Sequence, residues 1–362
     1  MSPVRCEKAP FTATSGLRSA RSRAHLLLLA LQKPRGPDTD RRAAGGRLEE
    51  LQLMRILVTG GAGYVGFPLC QKLHRRGDHV IVVDSLATTA GREPALAAFA
   101  DIKRVDITDR AACLSAIVEA EAEVVVHLAA LHFIPDCNRR PADAVRINVL
   151  GTQNVLDGCA AAPSVRRVVV TSSAAVYPVS DCFMRETAKA EPSDIYGITK
   201  AVNEGQAAEL ARATGISTVA VRLFNVFGPG ETNPHVVPAI IDQLRAGKHR
   251  LDLGNVSPKR CYVYVDDVVD GFEAIAGAVL PDRFTTLNLG TSEEASVGEL
   301  IDMMSAMLAT RLEVANDPER RRPSDRQYLR CDPTLIKSLT GWQANHSIQA
   351  GLRQLLASEQ LL

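Results

Sequence analysis

The stretch TGGAGYVG at residues 59–66 constrains the fold most, because it places four glycines directly after an apolar run. The run before it, RILVT, reads as a short buried strand, and the segment after it reads as a helix. The glycines fit G-x-G-x-x-G from Gly61 and G-x-x-G-x-x-G from Gly60. Glycine permits a tight turn and lets backbone N–H groups approach a phosphate at the positive end of a helix. Strand, turn and helix together predict a pyrophosphate-binding site.

An acidic residue stands where a dinucleotide requires one. Asp84 ends the second apolar run, 18 residues after Gly66. A carboxylate at this strand end accepts hydrogen bonds from the adenosine ribose and repels a 2′-phosphate. The predicted cofactor is therefore NAD rather than NADP.

The order of the apolar runs predicts the fold class. RILVT, HVIVV, EVVVHLA, RVVVTS and TVAVRLF are separated by helix-length segments. Short β-rich runs without polar alternation predict an α/β fold, with a parallel sheet covered by helices on both faces. After about residue 226, turn-rich stretches such as GPGETNP predict a smaller, mixed second lobe. We expect the dinucleotide domain at 54–225 and mainly a substrate-binding lobe at 226–362, with 258–280 returning to the first domain.

Residues 1–53 differ from the rest of the chain. They are arginine-rich, and their one apolar run, at 26–31, is too short to span a membrane. We expect a disordered extension or sequence upstream of the true start, with an organelle transit peptide as the alternative.

Composition limits the partners and the compartment. The net charge of +1 provides no global attraction to nucleic acid or to an anionic membrane, so neither partner is expected. The eight cysteines are scattered, and none has the C-x-x-C spacing of a zinc or redox site. We expect reduced thiols in a cytoplasmic protein and no metal.

Three residues are predicted to be catalytic. Tyr196 and Lys200, in YGITK, are four residues apart, so on a helix they share one face. A neighbouring ammonium and a cationic nicotinamide favour the phenolate of a tyrosine, whose ordinary pKa is about 10; a fall of about 3 units corresponds to about 4 kcal/mol. Ser173, at the end of its strand, can hydrogen-bond to the same substrate oxygen. We also expect Lys200 to bind the cofactor ribose.

Taken in order, the motifs resemble those of the extended short-chain dehydrogenase/reductase family, in its nucleotide-sugar epimerase and dehydratase branch. They are TGGAGYVG, HLAAL, NVLGTQNVL, TSSAAVY, YGITK, RLFNVFGPG, KRCYVYVDDVVDG, LNLGT and RRPSDRQYLRCDPTLIKSLTGW. The resemblance covers nearly all of 54–362. It implies a Rossmann domain that holds NAD and a C-terminal lobe that holds a nucleoside-diphosphate sugar. We also expect a homodimer.

The resemblance implies roles for individual residues, with adenine beside Asp106 and Ile107 and a diphosphate clamped by two arginine forks. The cofactor-binding set is Gly60, Gly63, Tyr64, Val65, Gly66, Asp84, Asp106, Ile107, Leu128, Ala129 and Lys200. The substrate-binding set is Ser173, Tyr196, Asn225, His235, Arg260, Arg322 and Asp325, with Arg260 and Arg322 as the clamp. Three departures from the family pattern bear on substrate fit: His132 replaces a lysine, His235 an asparagine and Cys261 an acid.

The residues after Ser173 distinguish the activities of this branch. Similar 4,6-dehydratases carry an Asp-Glu pair there and decarboxylases a nearby glutamate, whereas this chain has Ala174 and Ala175. Neither alanine offers an acid or a base. We therefore predict an NAD-dependent 4-epimerase of a UDP-hexose or UDP-hexuronate, which acts through a transient 4-keto sugar. The alternatives are a 4-keto-sugar reductase, a dehydratase or decarboxylase, and a non-catalytic nucleotide-sensing protein.

Overall fold

The computed structural model describes residues 53–88, 91–316 and 326–362. The expectations for the N-terminal extension and for Arg322 and Asp325 therefore concern residues outside these ranges. The strands, in chain order, are β1 (Arg55–Thr59), β2 (His79–Asp84), β3 (Asp101–Arg104), β4 (Val124–His127), β5 (Arg167–Ser173), β6 (Phe183–Met184), β7 (Ser217–Leu223), β8 (Asn225–Phe227), β9 (Arg250–Leu253), β10 (Lys259–Tyr264), β11 (Phe284–Leu289), β12 (Glu294–Ser296), β13 (Glu313–Asn316) and β14 (Tyr328–Cys331).

The helices alternate with the strands of the first half and dominate the end of the chain. They are α1 (Gly66–Arg76), α2 (Glu93–Ala97), α3 (Arg110–Glu119), α4 (Ile134–Arg139), α5 (Pro141–Val145), α6 (Thr152–Ala161), α7 (Ile195–Thr214), α8 (Val236–Arg245), α9 (Val265–Gly277), α10 (Val297–Met307), α11 (Thr334–Thr340) and α12 (Ile348–Ser358). A π-helical turn at Arg146–Gly151 precedes α6, and a 3₁₀ turn at Ala174–Val176 follows β5.

The central sheet is parallel throughout, in the order β11-β7-β5-β4-β1-β2-β3. Successive residues of β1 face opposite layers: Ile56 and Val58 pack with α1 and α9, whereas Leu57 packs with α3 and α6. Both faces are buried, so the strands can be apolar without alternation. The prediction of a doubly wound Rossmann sheet is confirmed.

Two strands of this sheet were not among the predicted runs. β3 reads DIKR and lies at the sheet edge, where half of each strand's backbone is unpaired and polar side chains are tolerated. β11 comes from the C-terminal half and pairs with β7, so more of that half returns to the sheet than the stretch 258–280.

The second lobe has its own apolar core. β12, β10, β14 and β6 form a mixed sheet, β8 pairs with β10, and β9 pairs with β13. Side chains of α8, α10 and α12 pack on one another and on Tyr262 and Tyr264 of β10. Because β10 leads directly into α9, which packs on the central sheet, one continuous segment joins the two cores.

Six cysteines are free and buried, in agreement with the expected reduced thiols: Cys70, Cys113, Cys137, Cys159, Cys261 and Cys331. Within the described ranges, no helix combines the length and the apolarity that a membrane crossing requires.

Candidate active site

The glycine turn is closed to side chains. Gly60 has a φ of +72°, and a Cβ on it would lie 2.7 Å from the backbone nitrogen of Ala129. A Cβ on Gly66 would lie 2.2 Å from the carbonyl oxygen of Gly60. The N–H of Gly63 donates to the same carbonyl at 3.0 Å. The backbone therefore forms a bare cradle at the start of α1, the form that a pyrophosphate requires.

Asp84 lies against this turn. Its Oδ2 accepts from the Ala62 N–H at 3.0 Å, and its Oδ1 accepts from the Leu86 N–H at 2.8 Å. Each carboxylate oxygen has a second lone pair, which remains for ribose hydroxyls. The carboxylate thus stands beside the cradle, as the spacing predicted.

The end of β4 forms the wall opposite Asp84. The backbone N–H of Leu128 donates to Thr59 O at 3.0 Å, and Ala129 lies next to Gly60. Asn148 fixes the following loop, because its side chain both accepts from and donates to the backbone of Leu131, at 2.8 and 2.9 Å. These contacts fit the expected cofactor channel.

Four other residues of the predicted cofactor set differ in their exposure and in what their side chains contact. Asp106 is exposed and accepts from the Thr108 N–H at 2.9 Å, whereas Ile107 is buried. Val65 is the N-cap residue of α1. The Tyr64 side chain turns toward the second lobe, where a Cβ on Gly228 would lie 3.3 Å from its hydroxyl.

The predicted catalytic residues meet at the end of β5. α7 begins after Asp194, whose Oδ1 accepts from the Gly197 N–H at 2.8 Å, and this cap fixes the turn that carries Tyr196. Tyr196 and Ser173 are half-buried, and the Ser173 hydroxyl acts as a hydrogen-bond partner of the phenol. Lys200 is buried, its Nζ 5.8 Å from the centre of the Tyr196 ring.

Burial dominates the electrostatics of this group in the chain without cofactor. Desolvation raises the pKa of Tyr196 above its ordinary value, and the hydrogen bond from Ser173 only partly offsets it. Burial lowers the pKa of Lys200 to about 8, and its Nζ donates to Thr171 O at 2.8 Å rather than to the phenol. In the chain without cofactor, burial therefore outweighs the charge of Lys200, and the phenolate expected in the presence of a cationic nicotinamide stays a prediction.

The substrate residues of the second lobe lie on adjacent strands. Asn225 is exposed on β8, in register with Tyr262 of β10. Arg260, two residues before Tyr262, is half-buried, and its Nη1 donates to Lys259 O at 2.8 Å. Cys261 is fully buried and accepts from the Cys331 N–H at 3.1 Å, so its thiol packs inside the lobe. Its expected effect on substrate fit stays a prediction.

The model of the NAD dependent epimerase/dehydratase family matches residues 56–290. The chain belongs to this family. The resemblance to the epimerase branch of the extended short-chain dehydrogenases is confirmed, and so is NAD as the cofactor of the family.

Relatives within the family carry out different reactions. A UDP-glucose 4-epimerase from Lactobacillus helveticus is 29% identical over 311 residues, which cover 81% of this chain and 93% of the relative. A UDP-glucuronic acid decarboxylase 1 from Danio rerio is 27% identical over 322 residues, 85% of this chain and 73% of the relative. Among solved structures, MoeE5 in complex with UDP-glucuronic acid and NAD is 28% identical, with a TM-score of 0.75 over 85% of this chain and 99% of that one. Membership shows an NAD-dependent nucleotide-sugar enzyme family, and its members differ in the reaction they catalyse.

The two positions that follow Ser173 carry apolar side chains. Ala174 is buried and Ala175 is half-buried. The N–H of Ala175 donates to the Ser173 Oγ at 3.1 Å, so this turn orients the serine. The nearby carboxylate of Asp194 caps α7 through Gly197.

Arg326 is a residue that the sequence motifs did not single out. It is buried, and its Nη2 donates to the Ser193 hydroxyl at 2.9 Å and to Ala175 O at 3.3 Å. Gly197 also packs against this carbonyl, since a Cβ on it would lie 2.6 Å away. Arg326 therefore connects the turn after Ser173 to the start of the helix that carries Tyr196.

The two histidines that depart from the family pattern lie together. The rings of His132 and His235 stack with centroids 6.1 Å apart, and the His132 Nε2 lies 2.9 Å from the amide nitrogen of Asn233. Glu231 joins them, so that one donor atom from each of the three side chains lies within 4.8 Å of the others. The only sequence signal for this group is the four-residue spacing of Glu231 and His235.

Proposed function

We propose that this protein is an NAD-dependent 4-epimerase of a UDP-linked hexose or hexuronate, which inverts C4 through a transient 4-keto sugar. One observation carries the proposal: Ser173 and Tyr196 are accessible beside a buried Lys200, while the next two positions are alanines. This arrangement can move a proton to and from the C4 oxygen of a sugar. It offers no base at the two alanine positions to remove a proton from C5.

The chain's own residues have separate tasks in this proposal. Tyr196 accepts the C4 hydroxyl proton and returns it, and Ser173 hydrogen-bonds to the same oxygen. Bound NAD supplies a reversible hydride acceptor. The cation of the cofactor and Lys200 would together offset the desolvation that raises the pKa of Tyr196.

The sugar nucleotide is proposed to lie between the two parts of the chain. Residues 54–225 would bind the dinucleotide, and 226–362 would hold most of the substrate. Asn225, the last residue of the first range, and Arg260, in the second range, lie on the paired strands β8 and β10, so both stand beside the boundary where the substrate is proposed to bind. His235, Arg322 and Asp325 complete the proposed substrate set.

The reductase is the alternative to test, because it uses the same three catalytic residues. A panel of UDP-, dTDP- and GDP-linked sugars, analysed by NMR while NADH absorbance is followed, separates the two reactions. We expect a UDP-sugar to equilibrate with its C4 epimer without net change in NADH. Stoichiometric NADH oxidation against a 4-keto sugar, with no epimerisation of any substrate, would establish the reductase instead.

A cytoplasmic homodimer also belongs to the proposal. Val145, Leu150, Ile198 and Val202 are exposed apolar residues at the end of α5, on the π-helical turn and on α7. A second copy covering them would remove this apolar surface from water. Sedimentation equilibrium should give twice the chain mass, and Leu150→Glu with Val202→Glu should give a folded monomer; a wild-type monomer would contradict the dimer.

A further inference from the structure

Three side chains with metal-ligating atoms converge from two segments of the chain. His132 follows β4, and Glu231 and His235 lie between β8 and α8. One donor atom from each lies within 4.8 Å of the other two. Phe133 packs edge-on against the His235 ring, with centroids 5.2 Å apart, and limits the ring's orientation.

The donor set indicates the class of ion. Two imidazoles and one carboxylate form the protein part of open zinc sites, in which water or substrate takes the remaining position. Magnesium prefers an all-oxygen environment and is a poor match. We propose that His132, Glu231 and His235 bind a divalent transition-metal cation, with Zn²⁺ as the ion of choice.

The geometry requires a small contraction. Ligands bound at about 2.0–2.2 Å to one tetrahedral zinc lie about 3.3–3.6 Å apart, so the three groups must draw together by about 1 Å. His132 is exposed, and Glu231 and His235 are half-buried. Rotation of partly exposed side chains can supply this movement without repacking the core.

Neighbouring polar groups already orient two of the ligands. The Asn233 amide donates to the His132 Nε2 at 2.9 Å, so Nε2 is the unprotonated ring nitrogen and its lone pair could bind a metal ion instead. The backbone of Ala130 hydrogen-bonds to the same imidazole. The Glu231 Oε1 accepts from the backbone N–H of Thr232 and of Asn233, both at 3.0 Å. Such contacts fix ligand orientation in metal sites, and the ion would replace the Asn233 amide.

The proposed ion would join the two halves of the active site. His132 is within electrostatic range of Lys200, and Glu231 is within range of Tyr64 and Arg92. The Arg92 guanidinium also bonds to the carbonyl of Gly230. An ion here would tie the loop after β4 to the segment after β8 and would keep open positions for oxygen ligands.

The experiment measures metal binding by the full-length chain after chelator treatment, using Zn²⁺ in competition with a chromophoric chelator. We expect one Zn²⁺ bound at this site, with His132→Ala and His235→Ala each weakening it at least tenfold. His249→Ala, at an exposed histidine of the same lobe, is the matched control and should bind as the wild type does. Asn233→Ala removes the competing amide and should bind zinc at least as tightly, and a large excess of Mg²⁺ should not displace zinc.

Zinc binding that is equal in wild type, His132→Ala and His235→Ala, or no binding at all by the folded wild type, would overturn the proposal. Circular dichroism confirms that each variant is folded. If a histidine variant does not fold, Glu231→Gln and the visible absorption of the Co²⁺-loaded wild type decide instead; unchanged affinity in that variant, or a spectrum of aquated Co²⁺, would overturn the site. These measurements do not depend on epimerase activity, so the proposed function and the metal site can fail separately.

Discussion

The two sides of the site are built from different parts of the chain. On the nucleotide side, the cradle is backbone, a Cβ on Gly60 or Gly66 would clash with neighbouring backbone atoms, and Lys200 of the catalytic group is buried. On the lobe side, Asn225 is exposed, and Arg260 and His235 are half-buried. Buried backbone geometry is fixed by close packing, whereas exposed side chains can be exchanged without disturbing the core. We infer that the cofactor chemistry is built into the fold and that substrate choice depends on replaceable side chains.

The largest effect is expected at Gly60, in the backbone cradle of the nucleotide side. An alanine at Gly60 would be strained by the φ of +72°, and its Cβ would lie 2.7 Å from the Ala129 backbone. Gly247 has a similar φ of +73°, but no atom of the described part of the chain lies within 4 Å of an added Cβ there. Gly247→Ala therefore isolates the backbone strain, about 1 kcal/mol, and Gly60→Ala should cost at least about 3 kcal/mol in the free energy of unfolding and abolish NAD binding. Urea denaturation and calorimetry measure both. Equal costs at the two glycines would contradict the closed cradle.

The next effect concerns turnover without loss of structure. Tyr196→Phe removes only the hydroxyl that is proposed to move the C4 proton. We expect turnover to fall on the order of 10²-fold or more, the scale for a positioned acid–base group, with the melting temperature and both ligand affinities retained. Steady-state kinetics and calorimetry test this. A variant with near-normal turnover would remove Tyr196 from the mechanism.

A somewhat smaller effect should appear on the lobe side. Arg260→Ala is expected to weaken UDP-sugar binding by about 2 kcal/mol, the range for losing hydrogen bonds to a charged group, and to leave NAD binding intact. Lys259→Ala is the matched control, because the Lys259 ammonium pairs with Glu299 at 2.7 Å. Both are measured by titration calorimetry. Loss of NAD binding with retained sugar-nucleotide binding would reverse the division between the two sides.

The smallest effect is a pH dependence of stability at Lys200. Its pKa in the folded protein is about 8, below the ordinary lysine value. Between this value and about 10.4 the unfolded chain binds more protons than the folded one, so the stability contribution of Lys200 rises with pH. Lys200→Met should be more stable than wild type by about 1–2 kcal/mol at pH 7, and the gap should close by about pH 10. Chemical denaturation of the cofactor-free protein across this range measures it; a constant gap would contradict the burial of a charged lysine.

The sequence could predict those features that depend on residues close to one another along the chain. The cradle and the Tyr196–Lys200 pair depend on spacings within one turn or helix, Asp84 on the spacing within one strand–helix–strand unit, and the buried strands carry their own apolar pattern. Two other contacts depend on tertiary packing, because they join positions about a hundred or more residues apart: His132 lies near Glu231, and Arg326 donates to Ala175 O. The motif also gave no indication that burial raises the pKa of Tyr196 in the chain without cofactor, because desolvation is a property of the surrounding protein rather than of the motif.

The most direct test of the central claim follows the sugar carbons in D₂O. Full-length protein is incubated with NAD and with UDP-glucose or UDP-glucuronate, and proton NMR reports the configuration at C4 and the isotope at C5. We expect one of these substrates to reach equilibrium with its C4 epimer while C5 keeps its protium, because Ala174 and Ala175 provide no base for that carbon. Exchange of deuterium into C5, or a product that has lost water or carbon dioxide, would contradict the account.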